Sequence, residues 1–227
     1  MSPETWTAVD RYLQAQLMPH DAALEQALAD SDAAGLPAIH VSPLQGKFLH
    51  LLARLVGAKR VLEIGTLAGY STIWLARALP AGGRVVTLEA EPRHAEVARR
   101  NLARASVADR VEIRIGPALE TLPKLHAGNA GPFDLVFIDA DKPGMPQYLE
   151  WSIRLARPGT AILADNVVRD GKVVNAASDD ANVQGARRLF EKLAAEGRVS
   201  ATALQTVGAK GYDGFALAIV TPSAPTP

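Results

Sequence analysis

Between Arg60 and Ala164 the chain alternates short apolar runs with helical patterns, and few folds accept that rhythm. The runs Arg60–Ile64, Arg84–Leu88, Arg110–Ile115, Phe133–Ile138 and Ala161–Ala164 have the length and composition of strands. Between them lie helical patterns over Ser71–Leu79, Pro92–Ala105, Ala118–Leu125 and Tyr148–Leu155. Pro80-Ala81-Gly82-Gly83 and Pro158-Gly159 punctuate two of the joins. This order predicts a doubly wound α/β sheet with helices on both faces. A further helix is expected over Asn182–Glu196. Ala203–Val207 and Phe215–Val220 then read as strands split only by Gly208–Gly214, a connection short enough to make an antiparallel pair. The sheet is therefore expected to be mostly parallel, with a C-terminal antiparallel hairpin.

Ahead of the alternation, residues 4–30 have helical spacing with a break near Pro19, and Ser42-Pro43 reads as the cap and first turn of another helix stopped by Gly57. Residues 1–57 are expected to form a helical cap within one domain whose core is 58–220. The tail 221–227, with three prolines in seven residues, is expected to be disordered. Lys+Arg and Asp+Glu balance at 24 each, which argues against a nonspecific grip on nucleic acid or an acidic membrane. There is no cysteine, so disulfides, thiolate metal sites and a cysteine nucleophile are excluded. The amino terminus lacks the pattern of a secretory signal and no apolar stretch is long enough to span a bilayer, so a cytoplasmic protein is expected.

Two strand ends carry chemistry. Phe137-Ile138-Asp139-Ala140-Asp141-Lys142 and Ala164-Asp165-Asn166 both place oxygen-bearing side chains at the carboxyl edge, where open parallel sheets bind ligands. Adjacent strands lie roughly 4.8 Å apart, so Asp139, Asp165 and Asn166 are candidates to converge on one cation. An all-oxygen set suits Mg²⁺ or Ca²⁺ better than Zn²⁺. Lys142 would overlook the same point. Singly, each residue has an ordinary reading as a turn, a helix cap or a surface lysine; jointly, at one edge, they point to a site.

The first strand runs into Gly65-Thr66-Leu67-Ala68-Gly69-Tyr70-Ser71, a glycine-bearing turn before a helix. The second glycine of a G-x-G-x-x-G pyrophosphate turn is missing, which weakens a nicotinamide-dinucleotide reading and favours a nucleoside without phosphates. Glu89 ends the second strand, where a carboxylate can accept bonds from both ribose hydroxyls. Glu63 is a carboxylate inside an apolar strand; it either bonds nearby backbone amides or orders the turn and faces a cationic ligand. The five histidines show no paired metal-ligand spacing, and His40 near the pocket entrance either touches substrate or, as the more ordinary reading, is structural.

The segments Ser42-Pro43-Leu44-Gln45-Gly46, LEIGTLAGYS, FDLVFIDADK and ADNVVRDGKV, in order from about Val41 to Val174, resemble the cation-dependent O-methyltransferases. That family includes caffeoyl-CoA and catechol O-methyltransferases, and the chain is most similar to the bacterial branch. The resemblance implies a Rossmann-like methyltransferase sheet and S-adenosylmethionine as cofactor, a ribose-bearing sulfonium without phosphates. By the same resemblance Glu63, Gly65, Thr66 and Ser71 line the methionine end and Glu89 holds the ribose. Ala118 would sit beside the adenine, with Val41 and Asp139 closing the pocket. The expected reaction is methyl transfer to a hydroxyl of a catechol-like small molecule, with a divalent cation (Mg²⁺, or Ca²⁺ or Mn²⁺) at Asp139, Asp165 and Asn166. Lys142 is the candidate base, since repulsion from a nearby cation would favour its neutral form.

The chain departs from many relatives after the aspartate-lysine motif, where Pro143-Gly144-Met145-Pro146 stands in place of an Asn-Tyr pair. Arg169 occupies a place where some relatives have tryptophan; it either meets an anionic substrate or is solvated. A homodimer is expected from the resemblance. Alternatives are methylation of hydroxyuridine in transfer RNA, disfavoured by the neutral charge, and a catalytically silent cofactor-binding module.

Overall fold

In a computed structural model, which describes residues 2–222, the chain forms one seven-stranded sheet with eight α-helices. Helices α1 (Pro3–Leu17), α2 (Ala22–Ala33) and α3 (Pro43–Leu55) come first. The alternation follows as β1 (Arg60–Ile64), α4 (Tyr70–Ala78), β2 (Arg84–Glu89), α5 (Pro92–Arg104), β3 (Val111–Ile115), α6 (Ala118–Ala127), β4 (Phe133–Ile138), α7 (Met145–Arg154) and β5 (Ala156–Asp165). Helix α8 (Ala181–Ala195) leads into the hairpin β6 (Val199–Gly208) and β7 (Gly211–Val220).

The strand order is β3-β2-β1-β4-β5-β7-β6, with β1 to β5 parallel and β7 antiparallel to both of its neighbours. The chain winds outward from β1 to β3, then crosses back to β4 on the other side of β1. That reversal opens a crevice beyond the carboxyl ends of β1 and β4, the usual ligand position in such sheets.

Strand alternation sorts the core into two layers. Val61, Val85, Leu135, Phe137 and Leu163 face one side, packed with α2, α3, α4 and α5. Leu62, Ile64, Val86, Val136 and Ile138 face the other, packed with α6, α7 and α8. Helices α2 and α3 share the first layer, since Leu24, Ala27, Leu49 and Leu52 belong to it. Every residue of β4 is buried, so the strand that delivers Asp139 is held from both faces.

Several boundaries differ from the sequence expectation. Strand β5 begins at Ala156 rather than Ala161, so Pro158-Gly159 falls inside it; its pairing with β4 shifts register between Phe133 and Leu135, and that irregularity accommodates a residue without an N–H. The hairpin strands run to Gly208 and from Gly211, leaving Ala209-Lys210 as the turn. Strand β6 is an edge strand with almost every residue exposed, so its pattern carries no alternation to read. Helix α7 begins at Met145, with Pro146 in the first turn where a missing N–H costs nothing. Of the expected disordered tail, residues 223–227 lie outside the described residues. Among those described, no helix is long and apolar enough to cross a membrane.

Candidate active site

A cleft of about 770 Å³ opens at the crevice between β1 and β4. Gly65 leaves β1 with φ +105°, and a Cβ there would run into the Asp139 carbonyl, so the position admits only glycine. Leu67 (φ +49°) and Gly69 (φ +81°) complete a left-handed turn that delivers the chain into α4. Glu89 at the end of β2 locks this turn, with Oε2 accepting from the Thr66 and Leu67 N–H groups at 3.2 and 2.7 Å. Its Oε1 accepts from Glu91 N–H at 3.0 Å and lies 3.3 Å from His94 Nδ1. Val41, Gly65, Thr66, Ser71, Glu89 and Ala118 all line the cleft. So do His40, whose Nδ1 is 3.0 Å from the Val41 carbonyl and whose ring packs against Tyr70, and His94.

Glu63 does not line it. The parity of β1 turns this side chain toward α4, where it is fully buried. It accepts hydrogen bonds from Ser71 Oγ (2.7 Å), Thr72 Oγ1 (2.5 Å) and Thr87 Oγ1 (2.7 Å), not from backbone amides. Glu63 thus reaches the cleft through Ser71 and, by way of Thr87, through Thr66, whose Oγ1 is 2.6 Å from Thr87 Oγ1. Burial pushes its carboxyl up to about 7; the three hydroxyl donors offset this in part, and the Asp139 charge adds to the rise.

That shift has a sign. The folded protein holds this proton more tightly than the unfolded chain does, so the stabilisation is complete below the ordinary value of 4.5 and is lost as pH rises through about 7. Linkage puts its size at about 3 kcal/mol. Glu63→Gln should therefore gain stability relative to the wild type between about pH 4.5 and 7. Denaturant melts of both proteins at each end of that window would give parallel pH dependences if this reading were wrong.

The second group stands at β4 and β5. Lys142 is buried, with Nζ 3.2 Å from Asp139 Oδ1. Asp139, Lys142 and Asn166 line the cleft. Asp165, at the end of β5, is 5% exposed and lies behind that wall. Its Oδ2 accepts from Gln45 Nε2 at 2.6 Å and its Oδ1 from Asn166 N–H at 2.8 Å. Asn166 is left-handed (φ +57°), a conformation asparagine tolerates, and this ends the strand. Burial and the nearby Asp139 charge push the Asp165 carboxyl up to about 7, against the opposing pull of Lys142. Two carboxylates forced together in a largely dry site, with an amide oxygen beside them, fit a hard divalent cation, which would relieve their repulsion. Among the described residues, no cluster of three His, Cys, Asp or Glu side chains comes together.

Asp141 makes two hydrogen bonds beside the cleft. One oxygen accepts from Gly144 N–H at 2.9 Å, capping the turn Lys142–Gly144, and the other accepts from Tyr148 Oη. Tyr148 lines the cleft and packs against Gly144, so it supplies an aromatic wall from α7. Sequence reading passed over Tyr148, Thr72, Thr87 and Gln45 as functional side chains. Thr87 was foreseeable, since it is the register partner of Glu63. Gln45 reaches Asp165 across 120 residues of chain, which no local pattern signals.

Comparison with known proteins follows this geometry. The O-methyltransferase family model matches residues 17–219. The chain is 60% identical to a catechol O-methyltransferase of Mycobacterium tuberculosis, covering 93% of this chain and 94% of that one. It is 55% identical to a catechol O-methyltransferase of Niastella koreensis, over 97% of this chain and 100% of the relative. A crystal structure of the O-methyltransferase from Bacillus cereus in complex with SAH superposes with a TM-score of 0.96 at 58% identity, covering 97% and 100% of the two chains. With a family match over most of its length and relatives this similar, the chain belongs to the O-methyltransferase family.

Proposed function

We propose that this protein transfers the methyl group of S-adenosylmethionine to one hydroxyl of a catechol-like, vicinal dihydroxy aromatic, with a divalent cation as cofactor. The observation that carries the reading is one cleft lined both by the Gly65–Ser71 turn with Glu89 and by Asp139, Lys142 and Asn166. The catechol O-methyltransferase names of two relatives and the SAH complex of a third support acceptor and cofactor.

Glu89, Ser71, Thr66 and Gly65 would hold the cofactor, and Val41 and Ala118 would bound it. When bound, it would supply a methyl group on a sulfonium for direct transfer to an acceptor oxygen, with the carbon–sulfur bond broken, a neutral thioether as leaving group and no covalent enzyme intermediate. Asp139, Asp165 and Asn166 would hold the cation, whose charge favours the deprotonated form of a hydroxyl that otherwise ionises near pH ~10. Lys142 Nζ takes the hydroxyl proton. Tyr148 and Tyr70 wall the cleft and help to exclude water. Self-association into a homodimer belongs to the same proposal, supported by exposed apolar side chains such as Tyr12, Leu17, Leu55 and Leu204. Light scattering that reads a single chain mass would remove it.

Equilibrium titration with S-adenosylmethionine tests the cofactor half. Glu89→Ala should weaken binding by about tenfold to a hundredfold, the range expected for losing bonds to a charged acceptor and the turn it orders. Equal affinity in the two proteins would mean that the ribose is held elsewhere.

A further inference from the structure

Arg169 is the cationic side chain of the cleft that the reaction does not use. It follows β5 on a segment where Arg169, Asp170 and Gly171 take φ values of +56°, +55° and +79°. Two successive non-glycine residues in that region are costly and need support from their surroundings. Asp213 of β7 provides it, with Oδ1 accepting the backbone N–H groups of Val168 and Arg169 at 2.9 and 3.0 Å. Lys172 N–H bonds the Arg169 carbonyl at 2.9 Å, and Val167 N–H bonds the Gly214 carbonyl at 3.0 Å. The backbone is thereby fixed, and the side chain joins the cleft wall with Lys142, Asn166 and Asn182.

The guanidinium is poorly satisfied there. Its Nη1 lies 3.6 Å from Asp213 Oδ2, beyond hydrogen-bond length. Its Nε–H is buried with no acceptor among the described residues. The other carboxylate in its field, Asp180, is spent on capping α8 through Asn182 N–H. A buried guanidinium donor without a partner is unfavourable, and few buried polar groups are left that way. A planar fork of N–H donors matches one chemistry above others, a carboxylate gripped by two parallel bonds. Asp139 and Asp141, also on the cleft wall, would repel a second negative group beside them.

We infer that Arg169 is a specificity-determining residue that selects acceptors bearing a carboxylate, so that the favoured substrates are dihydroxybenzoate-like anions rather than neutral or cationic catechols. This rests on the proposed O-methyl transfer and narrows its substrate class. The carboxylate pairs with the Arg169 guanidinium while the vicinal hydroxyls lie toward Asp139 and Lys142. No residue of the methyl-transfer step is altered by this assignment; what changes is which catechol is held in register with it.

The test compares 3,4-dihydroxybenzoate with 3,4-dihydroxybenzyl alcohol, which share the hydroxyl pair and differ in charge. The quantity read is the ratio of kcat/KM for the anion to that for the alcohol in wild type, Arg169→Met and Arg169→Lys. Removing the guanidinium should lower the ratio about tenfold or more, and lysine, which keeps the charge but not the fork, should fall between. The same ratio in all three proteins would overturn the inference. Equilibrium binding of 3,4-dihydroxybenzoate to SAH-loaded protein separates this inference from the reaction it rests on, because it needs no turnover. Binding weakened by Arg169→Met, in a wild type that methylates nothing, retains the anion site and retires the reaction. Methylation with binding indifferent to Arg169 does the reverse.

Discussion

Asp165→Asn should abolish cation-dependent turnover, lowering kcat/KM by about a thousandfold or more, the equivalent of roughly 4 kcal/mol in the barrier. The side chain is almost isosteric, and its bonds from Gln45 and Asn166 belong to the wall behind the cleft, so the fold should survive. What disappears is one of two negative charges at the proposed cation site. The same change should stabilise the cation-free protein. The Asp165 carboxyl is pushed up to about 7 by burial and by Asp139, so the wild type loses stability as pH rises from the ordinary carboxylate range through 7. The amide has no such loss. In chelator at about pH 8 the variant should therefore melt above wild type, by roughly 2–4 °C for each kcal/mol gained in a chain of this size. Added Mg²⁺ should raise the wild-type melting temperature and leave the variant's where it was, since only a ligand that binds the native state stabilises it. A variant that keeps its cation response would remove Asp165 from the site. One that melts far below wild type at both ends of the pH range would make it a structural residue instead.

Lys142→Met should lower kcat by about a hundredfold to ten-thousandfold while S-adenosylmethionine affinity stays near wild type, the range expected for loss of a positioned base. Lys142 has a competing role that must be separated from this one. It stands 3.2 Å from Asp139 Oδ1 in a buried position, so it also offsets the charge of the two aspartates. Lys142→Arg decides between them. Arginine keeps the positive charge but does not give up its proton in proteins. If Lys142 accepts the proton, both variants stay slow, and their rates climb with pH as solvent ionises the acceptor in its place. If only charge matters, the arginine variant recovers most of the rate and the methionine variant binds the cation more tightly.

Much of the architecture was legible because strand burial is written locally. Runs such as Leu135–Ile138 are apolar at every position, as a strand covered on both faces must be, and they mark the strands of the parallel core. The candidate site was legible for a related reason, since polar residues directly after such runs can only stand at the sheet's carboxyl edge. Where the reading fell short, tertiary geometry had overridden local pattern. The β6–β7 hairpin is longer than its composition suggests because β6 is an edge strand with almost every residue exposed, so burial imposes no pattern on it. Pro158-Gly159 looked like an end to structure and instead sits in β5, beside a register shift that only pairing with β4 reveals. Glu63 was picked out for the right oddity, and of its two readings the one with backbone-amide partners does not hold. Its carboxylate oxygens accept from hydroxyls on α4 and β2, because strand parity points it into the helix layer rather than toward the turn amides. The turn amides are held instead by Glu89. Arg169 stood open between two readings in sequence, and its buried Nε–H, without an acceptor among the described residues, supports the proposed recognition role.

The most direct test of the account is methyl transfer from labelled S-adenosylmethionine to 3,4-dihydroxybenzoate, measured with Mg²⁺ and again after complete chelation. The account predicts labelled product with the cation, its loss in chelator and its return when Mg²⁺ is restored. Product formed at the same rate in chelator would contradict the roles given to Asp139, Asp165 and Asn166.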